Sequence, residues 1–228
     1  MDIKQKQQAQ FYYLLLAGIF IALLVACNLI FQKFISWNPF DLFNFEVSVG
    51  LIPYPLTFLV TDLISEIYGK KKANQVVVVG LITTVVVMGV VLIGDLAEAT
   101  NWSPVSDAEF SKVFGLTGVA VAASMFAYLL AQFIDIRVFH FWKNLTKGKH
   151  LWLRNNASTV FSQFVDTATV LMLLCAFGAI DWDLFGVLLL NGFLFKVIVA
   201  LIDTPFLYLT VYWFKRKFNL KENEEIEF

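Results

Sequence analysis

Six long apolar runs are the feature of this sequence that most limits how the chain can fold. They cover approximately residues 11–35, 47–68, 74–95, 115–139, 153–178 and 184–213. A helix of about 20 apolar residues is long enough to cross the hydrocarbon core of a bilayer. Backbone groups in lipid need partners within the protein, so such runs are expected to be helical. We predict an all-α integral membrane protein in which residues 1–228 form a single transmembrane domain of six helices.

The composition agrees with that prediction. The chain is 59% hydrophobic and 15% charged, whereas average soluble domains carry about 25% charged residues. These values exclude a disordered chain, a disulfide-stapled secreted domain and an ordinary cytosolic enzyme. A net charge of -1 gives no reason to expect a nucleic-acid partner. Cys27 and Cys175 both lie in apolar runs, and we expect buried thiols there.

The distribution of basic residues predicts the orientation in the membrane. In a six-helix arrangement, fourteen of the 17 Lys and Arg residues fall on the side of the N-terminus. Lys33 and Lys112 fall on the opposite side, and Lys196 lies inside the sixth run. An excess of basic residues marks cytoplasmic loops. We therefore expect a multi-pass cell-membrane protein with both termini in the cytoplasm.

Two prolines stand at the start of the second run. Pro53 and Pro55 each lack a backbone donor, and they bias the preceding residues away from helix. The chain could begin that helix irregularly and pack against its neighbours. Alternatively, a broken helix could line a substrate site, where unpaired carbonyls are tolerated.

Ionisable residues within the apolar runs are the first candidates for a binding site, because a charge near the bilayer centre costs at least about 2.5–3.5 kcal/mol. Counting residues along the helices places Asp166 and Lys196 near the midplane. They could form an ion pair that only fixes packing. They could also face a polar cavity that binds a solute or a coupling proton.

Three further acids lie nearer the cytoplasmic ends of their runs. Asp62 and Glu66 share one helix face, where they could be solvated or functional. Asp135 is followed closely by Arg137, so a structural salt bridge is the default expectation for it.

Uncharged polar residues accompany the acids. Asn28 lies in the first run, while Gln132 and Gln163 each precede an acid, Asp135 and Asp166, by three positions. Such pairs could bind a planar heterocycle that carries donors and acceptors. They could equally cross-link helices, at about 0.6 kcal/mol each.

The sequence contains no motif typical of an enzyme. It has no Gly-x-x-x-x-Gly-Lys-Ser/Thr phosphate loop, no His-Glu-x-x-His and no Gly-x-Ser-x-Gly. His140 and His150 both lie in a basic loop, so no metal site or cofactor is expected. A lipid-modifying membrane enzyme and a purely structural membrane subunit are the alternatives from other classes.

Several blocks of this sequence resemble a known family. The blocks are 54–63 (YPLTFLVTDL) with 67–69 (IYG), 127–135 (AYLLAQFID) with 138–139 (VF), 157–159 (AST) with 166–167 (DT), and 195–197 (FKV) with Pro205. In these positions the chain resembles the bacterial queuosine-precursor transporters of the vitamin-uptake-transporter group.

The resemblance implies import of a small molecule, a 7-deazaguanine base such as 7-cyano-7-deazaguanine, for salvage of queuosine in tRNA. It also implies a six-helix fold similar to the substrate-binding component of energy-coupling-factor transporters. A secondary or facilitated carrier that requires no partner ATPase is expected. The alternative is a substrate-binding subunit for another vitamin-like heterocycle, which would depend on such an ATPase. A homo-oligomer is possible.

The polar and aromatic residues of the apolar runs fit such a base, and we hypothesise a role for each of them. Asp166 or Asp135 would accept hydrogen bonds from the base edge, while Lys196 balances charge or donates. Asp62 would act in coupling or gating near the cytoplasmic mouth. Further donors and stacking partners would come from Asn28, Gln132, Gln163, Tyr54, Phe58 and Phe133. The preferred deazapurine and the driving ion are left open.

Overall fold

Long helices make up most of the chain. The computed structural model describes residues 3–31, 33–38, 45–115, 118–178, 180–221 and 224–226. The elements in chain order are α1 (Ile3–Ile30), β1 (Phe34–Trp37), β2 (Phe45–Ser48), a 3-10 helix (Val49–Leu51), α2 (Tyr54–Leu96), α3 (Asp107–Phe114), α4 (Gly118–Leu145), α5 (Leu151–Ala176) and α6 (Trp182–Phe218). Residue 32 of the first predicted run and residues 116 and 117 of the fourth lie outside the described residues.

Four segments of the described chain are long and apolar enough to cross a membrane. They are Ile3–Ile30, Val49–Leu96, Leu151–Ala176 and Trp182–Phe218. The second segment covers all but the first two residues of the second run and all of the third, and α4 overlaps the fourth run. These segments therefore fit the prediction of an all-α membrane protein. The number of crossings and the side on which the termini lie stay predictions.

A short β-hairpin occupies the end of the first run and the start of the second, where we predicted helix. The first run was expected to be helical to residue 35 and the second from residue 47, but β1 and β2 pair there as antiparallel strands. Ile35 lies opposite Val47 in this pairing. β-Branched and aromatic residues favour strands, and two paired strands satisfy each other's backbone groups. The hairpin places the start of α2 beside the end of α1.

The two prolines lie at the beginning of α2. Pro53 is the residue before its first turn, and Pro55 lies within that turn, where no helical hydrogen bond is lost. The prolines therefore mark the beginning of α2, and the helix has no break at them. The 3-10 helix just before them packs closely on α1, since a Cβ at Gly50 would meet the Cys27 carbonyl oxygen at 2.6 Å.

The break in α2 lies at Gly69. The expected loop between the second and third runs is instead a kink at one residue, with φ 81° and ψ 169°. This conformation is essentially restricted to glycine. The C-terminal segment covers the kink, where the Ile226 N–H donates to the Ile67 carbonyl oxygen at 2.8 Å. A side chain at residue 69 would collide with the carboxylate of Glu225.

The buried core lies around the first half of α2. This half packs against α4 and α6, and α5 lies between α4 and α6. Phe58, Ile64 and Ile67 are completely or almost completely buried there. Large apolar side chains such as Ile93 and Leu209 are mostly exposed on the outer faces. Such an apolar exterior is typical of a surface that contacts lipid.

The short helix α3 begins with a capping box. The Ser106 hydroxyl accepts a hydrogen bond from the Glu109 N–H, and the Glu109 carboxylate accepts from the Ser106 N–H. The Ser106 N–H and hydroxyl both donate to the Glu109 carboxylate, and these two hydrogen bonds lower the pKa of this exposed carboxyl below its ordinary value.

Candidate functional site

A cavity of about 320 Å³ lies between the start of α2 and helices α1, α4, α5 and α6. We name it the central cavity. Its size falls within the range of pockets that hold small molecules. Its polar lining residues are Asn28, Ser48, Tyr54, Ser124, Tyr128, Asp166, Thr167, Asn191 and Lys196.

An ion pair forms part of the cavity wall. Lys196 Nζ of α6 lies 2.6 Å from Asp166 Oδ2 of α5 and donates to Thr167 Oγ1 at 3.0 Å. Asp166 and Lys196 are each only 5% exposed. Asp166 and Lys196 therefore pair with each other and also line the central cavity, and their role in binding a solute or a proton stays a prediction.

Aromatic rings form the adjoining wall. Lys196 Nζ lies 4.8 Å from the centre of the Tyr54 ring, a cation–π distance. The Tyr54 ring packs edge-on against Tyr128, with ring centres 5.5 Å apart. Phe58 contacts both rings from behind and does not line the central cavity. Asn28 lines the cavity, and its Nδ2 donates to the Leu24 carbonyl oxygen at 2.8 Å.

Two carboxyl groups meet in the interior, away from the central cavity. Asp62 of α2 and Asp135 of α4 are 1% and 0% exposed and lie within hydrogen-bonding range of each other. We name them the carboxylate pair. Thr159 Oγ1 donates to Asp62 Oδ2 at 3.4 Å, and Ser162 Oγ donates to Asp135 Oδ1 at 3.0 Å. Helices α2, α4 and α5 are thus joined through this pair.

A narrow crevice of about 10 Å³ lies between α2, α5 and α6. Asp62 and Gln163 line it, together with Asp203. Lys196 lines both the crevice and the central cavity. The space is about that of one water molecule.

Glu66 binds three basic residues from three helices. Its carboxylate lies 2.6 Å from Arg154 Nη2, 2.9 Å from Lys215 Nζ and 3.6 Å from Lys143 Nζ. Lys143 also pairs with Glu225 of the C-terminal segment at 2.7 Å. We name Glu66 and its three partners the Glu66 cluster. A solvated Glu66 is excluded, because its side chain is 1% exposed.

The expectation that Asp135 forms a structural salt bridge with the neighbouring Arg137 is wrong. Arg137 is exposed, whereas Asp135 is fully buried. Residues two positions apart on a helix point in different directions, so the two side chains do not meet.

The two glutamines lie apart from the central cavity. The Gln132 Oε1 accepts from the Thr61 hydroxyl at 3.2 Å, and its Nε2 donates to the Tyr128 hydroxyl at 2.9 Å. Gln132 therefore links α2 to α4, as one of the two alternatives for it proposed. Gln163 lines the crevice.

The sequence-based predictions included Gln163 and Asp166 but missed the polar stripe of α5 that contains them. Eight residues of this helix are polar and buried, and they form adjacent pairs that recur every four positions. The buried polar ones are Arg154, Asn155, Ser158, Thr159, Ser162, Gln163, Asp166 and Thr167. That spacing is visible in the sequence and could have identified the inward face. Ser124 and Asn191 are single polar residues in apolar runs and gave no such signal.

This chain is similar in sequence to proteins of one known family. Residues 48–210 match the model of the vitamin uptake transporter family. The "Probable queuosine precursor transporter" of Bacillus subtilis (strain 168) is 28% identical over 169 residues, which is 74% of this chain and 73% of that protein. The "Queuosine precursor transporter" of Escherichia coli (strain K12) is 27% identical over 169 residues, 72% of each chain. No solved structure matches the chain significantly.

The matched residues include α2, α4, α5 and most of α6, which carry the ion pair, the carboxylate pair and Glu66. The match covers well over half of the chain, and the apolar helices agree with a protein that crosses the cell membrane several times. This chain therefore belongs to the vitamin uptake transporter family.

Proposed function

We propose that this chain imports queuosine precursors, 7-deazaguanine bases such as 7-cyano-7-deazaguanine, and binds them in the central cavity. The names of its relatives support the substrate class. The observation that carries the proposal is the buried pair of Asp166 and Lys196 on the wall of a cavity large enough for a base.

The ion pair offers the groups that a guanine-like edge requires. Such an edge presents adjacent N–H donors, which a carboxylate accepts in bidentate fashion, and a carbonyl oxygen, which needs a donor. Asp166 would accept from the N–H groups, and Lys196 would donate to the carbonyl oxygen. Thr167 stays within reach of Lys196 Nζ, at 3.0 Å, and would hold the ammonium in place.

The aromatic wall suits the flat face of a base. Tyr54 and Tyr128 both line the cavity beside the ion pair. A base packed on these rings gains stacking energy that depends little on its substituents. Asn28 would add a polar contact from α1.

The remaining predicted residues fit supporting roles. Gln132 cross-links helices behind the aromatic wall, and Phe58 supports the Tyr54 ring. Asp135 does not line the central cavity, so Asp166 is the acid assigned to the base edge. Asp62 and Gln163 belong to the crevice beside it.

The chain would act as a secondary or facilitated carrier with six membrane crossings and both termini in the cytoplasm. The kink at Gly69 supports this arrangement, because it divides α2 into two helical segments, 54–68 and 70–96. At 1.5 Å per residue the second segment is long enough to cross a bilayer, and the first is shorter than a typical crossing. The 3-10 helix and the hairpin precede the first segment and extend it.

Complementation tests the proposed function. A bacterium that can neither make nor import the precursor, and that lacks energy-coupling-factor ATPases, would express the wild type or Lys196→Met and receive 7-cyano-7-deazaguanine at low concentration. Queuosine in tRNA, scored on a boronate gel, is expected from the wild type and not from Lys196→Met. Lys112→Met, which changes an exposed lysine of α3, is the matched control and should behave as the wild type.

Failure of the wild type despite normal membrane insertion would contradict the proposal. Restoration of queuosine only after a partner ATPase is supplied would favour the alternative, a substrate-binding subunit.

A further inference from the structure

The carboxylate pair lies deep in the protein without a basic partner. Asp62 and Asp135 are almost completely buried. Among the described residues, no lysine, arginine or histidine nitrogen lies within 4.0 Å of either carboxylate. Two adjacent uncompensated carboxylates inside a membrane protein are very unfavourable. This cost favours binding of a proton or another cation at the pair.

The hydrogen bonds of the pair leave room for one donor. Thr159 and Ser162 each donate to one carboxyl oxygen. The other two oxygens, Asp62 Oδ1 and Asp135 Oδ2, are buried and accept no hydrogen bond. Two carboxyl groups can hydrogen-bond to each other only when one of them carries a proton. A single proton would supply the missing donor and halve the buried charge.

The charged groups that the structure describes around the pair include no cation that contacts either carboxylate. They are Glu66 of α2, Lys143 of α4, Arg154 of α5, and Lys196, Asp203 and Lys215 of α6. Three of the cations bind Glu66, and Lys196 binds Asp166. Asp203 is an acid, so it adds negative charge beside the crevice and does not neutralise the pair.

The crevice borders Asp62 of the pair and Lys196 of the central cavity. Asp62 lines the crevice, and Lys196 lines both spaces. Two further buried oxygens of its lining residues, Asn155 Oδ1 and Gln163 Oε1, also accept no hydrogen bond. A space of about 10 Å³ bordered by unpaired acceptors suits one water molecule that could carry a proton. A substrate that changes the pairing of Lys196 would change the electric field at Asp62.

We propose that Asp62 and Asp135 form a proton-binding site, and that loading and release of this proton couples import to the proton gradient. The coupling rests on the proposed function, whereas the proton site does not. By linkage, proton occupancy and substrate affinity then depend on each other.

Infrared spectroscopy tests the proton site without any substrate. The purified protein in lipid at neutral pH should show the carbonyl stretch of a protonated, buried carboxyl group. Asp62→Asn and Asp135→Asn keep the side-chain shape, and each should remove this band. Glu98→Gln, which removes an exposed carboxyl group between α2 and α3, should retain it. Absence of the band in the wild type, or its persistence in both aspartate variants, would overturn the proton site.

Transport into proteoliposomes tests the coupling. With one proton per base, a gradient of one pH unit should concentrate labelled 7-cyano-7-deazaguanine about tenfold in wild-type vesicles. Asp62→Asn places a permanent N–H donor between the two groups, so it should abolish accumulation while retaining exchange of labelled for unlabelled base. The Glu98→Gln vesicles should accumulate the base as the wild type does.

Accumulation driven by a sodium gradient and not by a pH gradient would refute the coupling, as would normal accumulation by Asp62→Asn. If wild-type vesicles neither exchange nor accumulate the base, the proposed function fails. The infrared result then decides the proton site alone.

Discussion

Removing one partner of the buried ion pair should have effects that distinguish packing from substrate binding. Lys196→Met leaves Asp166 without the ammonium that lies 2.6 Å away, at a position only 5% exposed. Breaking a buried pair in this way costs about 3–5 kcal/mol. For a chain of this size each kcal/mol lowers the Tm by about 2–4 °C, so the loss should be about 6–20 °C.

The double variant, Asp166→Leu with Lys196→Met, should recover most of that stability. Replacing both members of a buried ion pair with apolar residues is often neutral or stabilising. Uptake should nevertheless stay abolished, because the base edge has lost both its acceptor and its donor.

The melting transition can be followed with a thiol-reactive fluorophore, since Cys27 and Cys175 are free and buried and become reactive on unfolding. Uptake is scored as queuosine in tRNA, and Lys112→Met is the control in both assays. Recovery of uptake in the double variant would refute a binding role for the pair. A Tm of Lys196→Met within about 2 °C of the wild type would refute the calculated cost of breaking the pair.

Three further predictions follow from the fold. Glu66→Gln removes the carboxylate that lies 2.6 Å from the buried Arg154 guanidinium, and should lower the free energy of unfolding by about 3–5 kcal/mol. A Tm equal to that of the control variant Glu98→Gln would contradict this. Gly69→Ala forces a side chain into a positive-φ conformation that costs about 1–3 kcal/mol, so its Tm should fall, and an unchanged Tm would show that the kink is not strained. In intact cells, an impermeant maleimide should label Glu98→Cys and not Lys71→Cys, and equal labelling of both would disprove the proposed orientation.

The positions of the helices followed from the sequence because lipid permits few alternatives. Apolar runs of more than 20 residues predict helices, and α5 and α6 agree with their predicted bounds within a few residues. The hairpin could not be predicted in this way. An apolar run does not distinguish a strand from a helix at its ends, and the pairing of Ile35 with Val47 depends on a contact between distant residues.

The residues of the candidate site were also predictable only in part from the sequence. Asp166 and Lys196 were identifiable because a charge inside an apolar run is rare and costly, and equal depth in the membrane predicted that they could meet. The three cations around Glu66 were not predictable, since they come from segments far apart in sequence. Proximity in sequence was misleading for Asp135, whose partners are the hydroxyl of Ser162 and the carboxyl of Asp62.

Binding of labelled 7-cyano-7-deazaguanine to the purified protein tests the central claim most directly. Equilibrium dialysis of the wild type should show saturable binding that excess unlabelled base displaces. Lys196→Met should lose this binding, and Lys112→Met should keep it. Absence of binding to a folded wild type, or equal binding by Lys196→Met, would contradict the assignment of the central cavity as the site for the base.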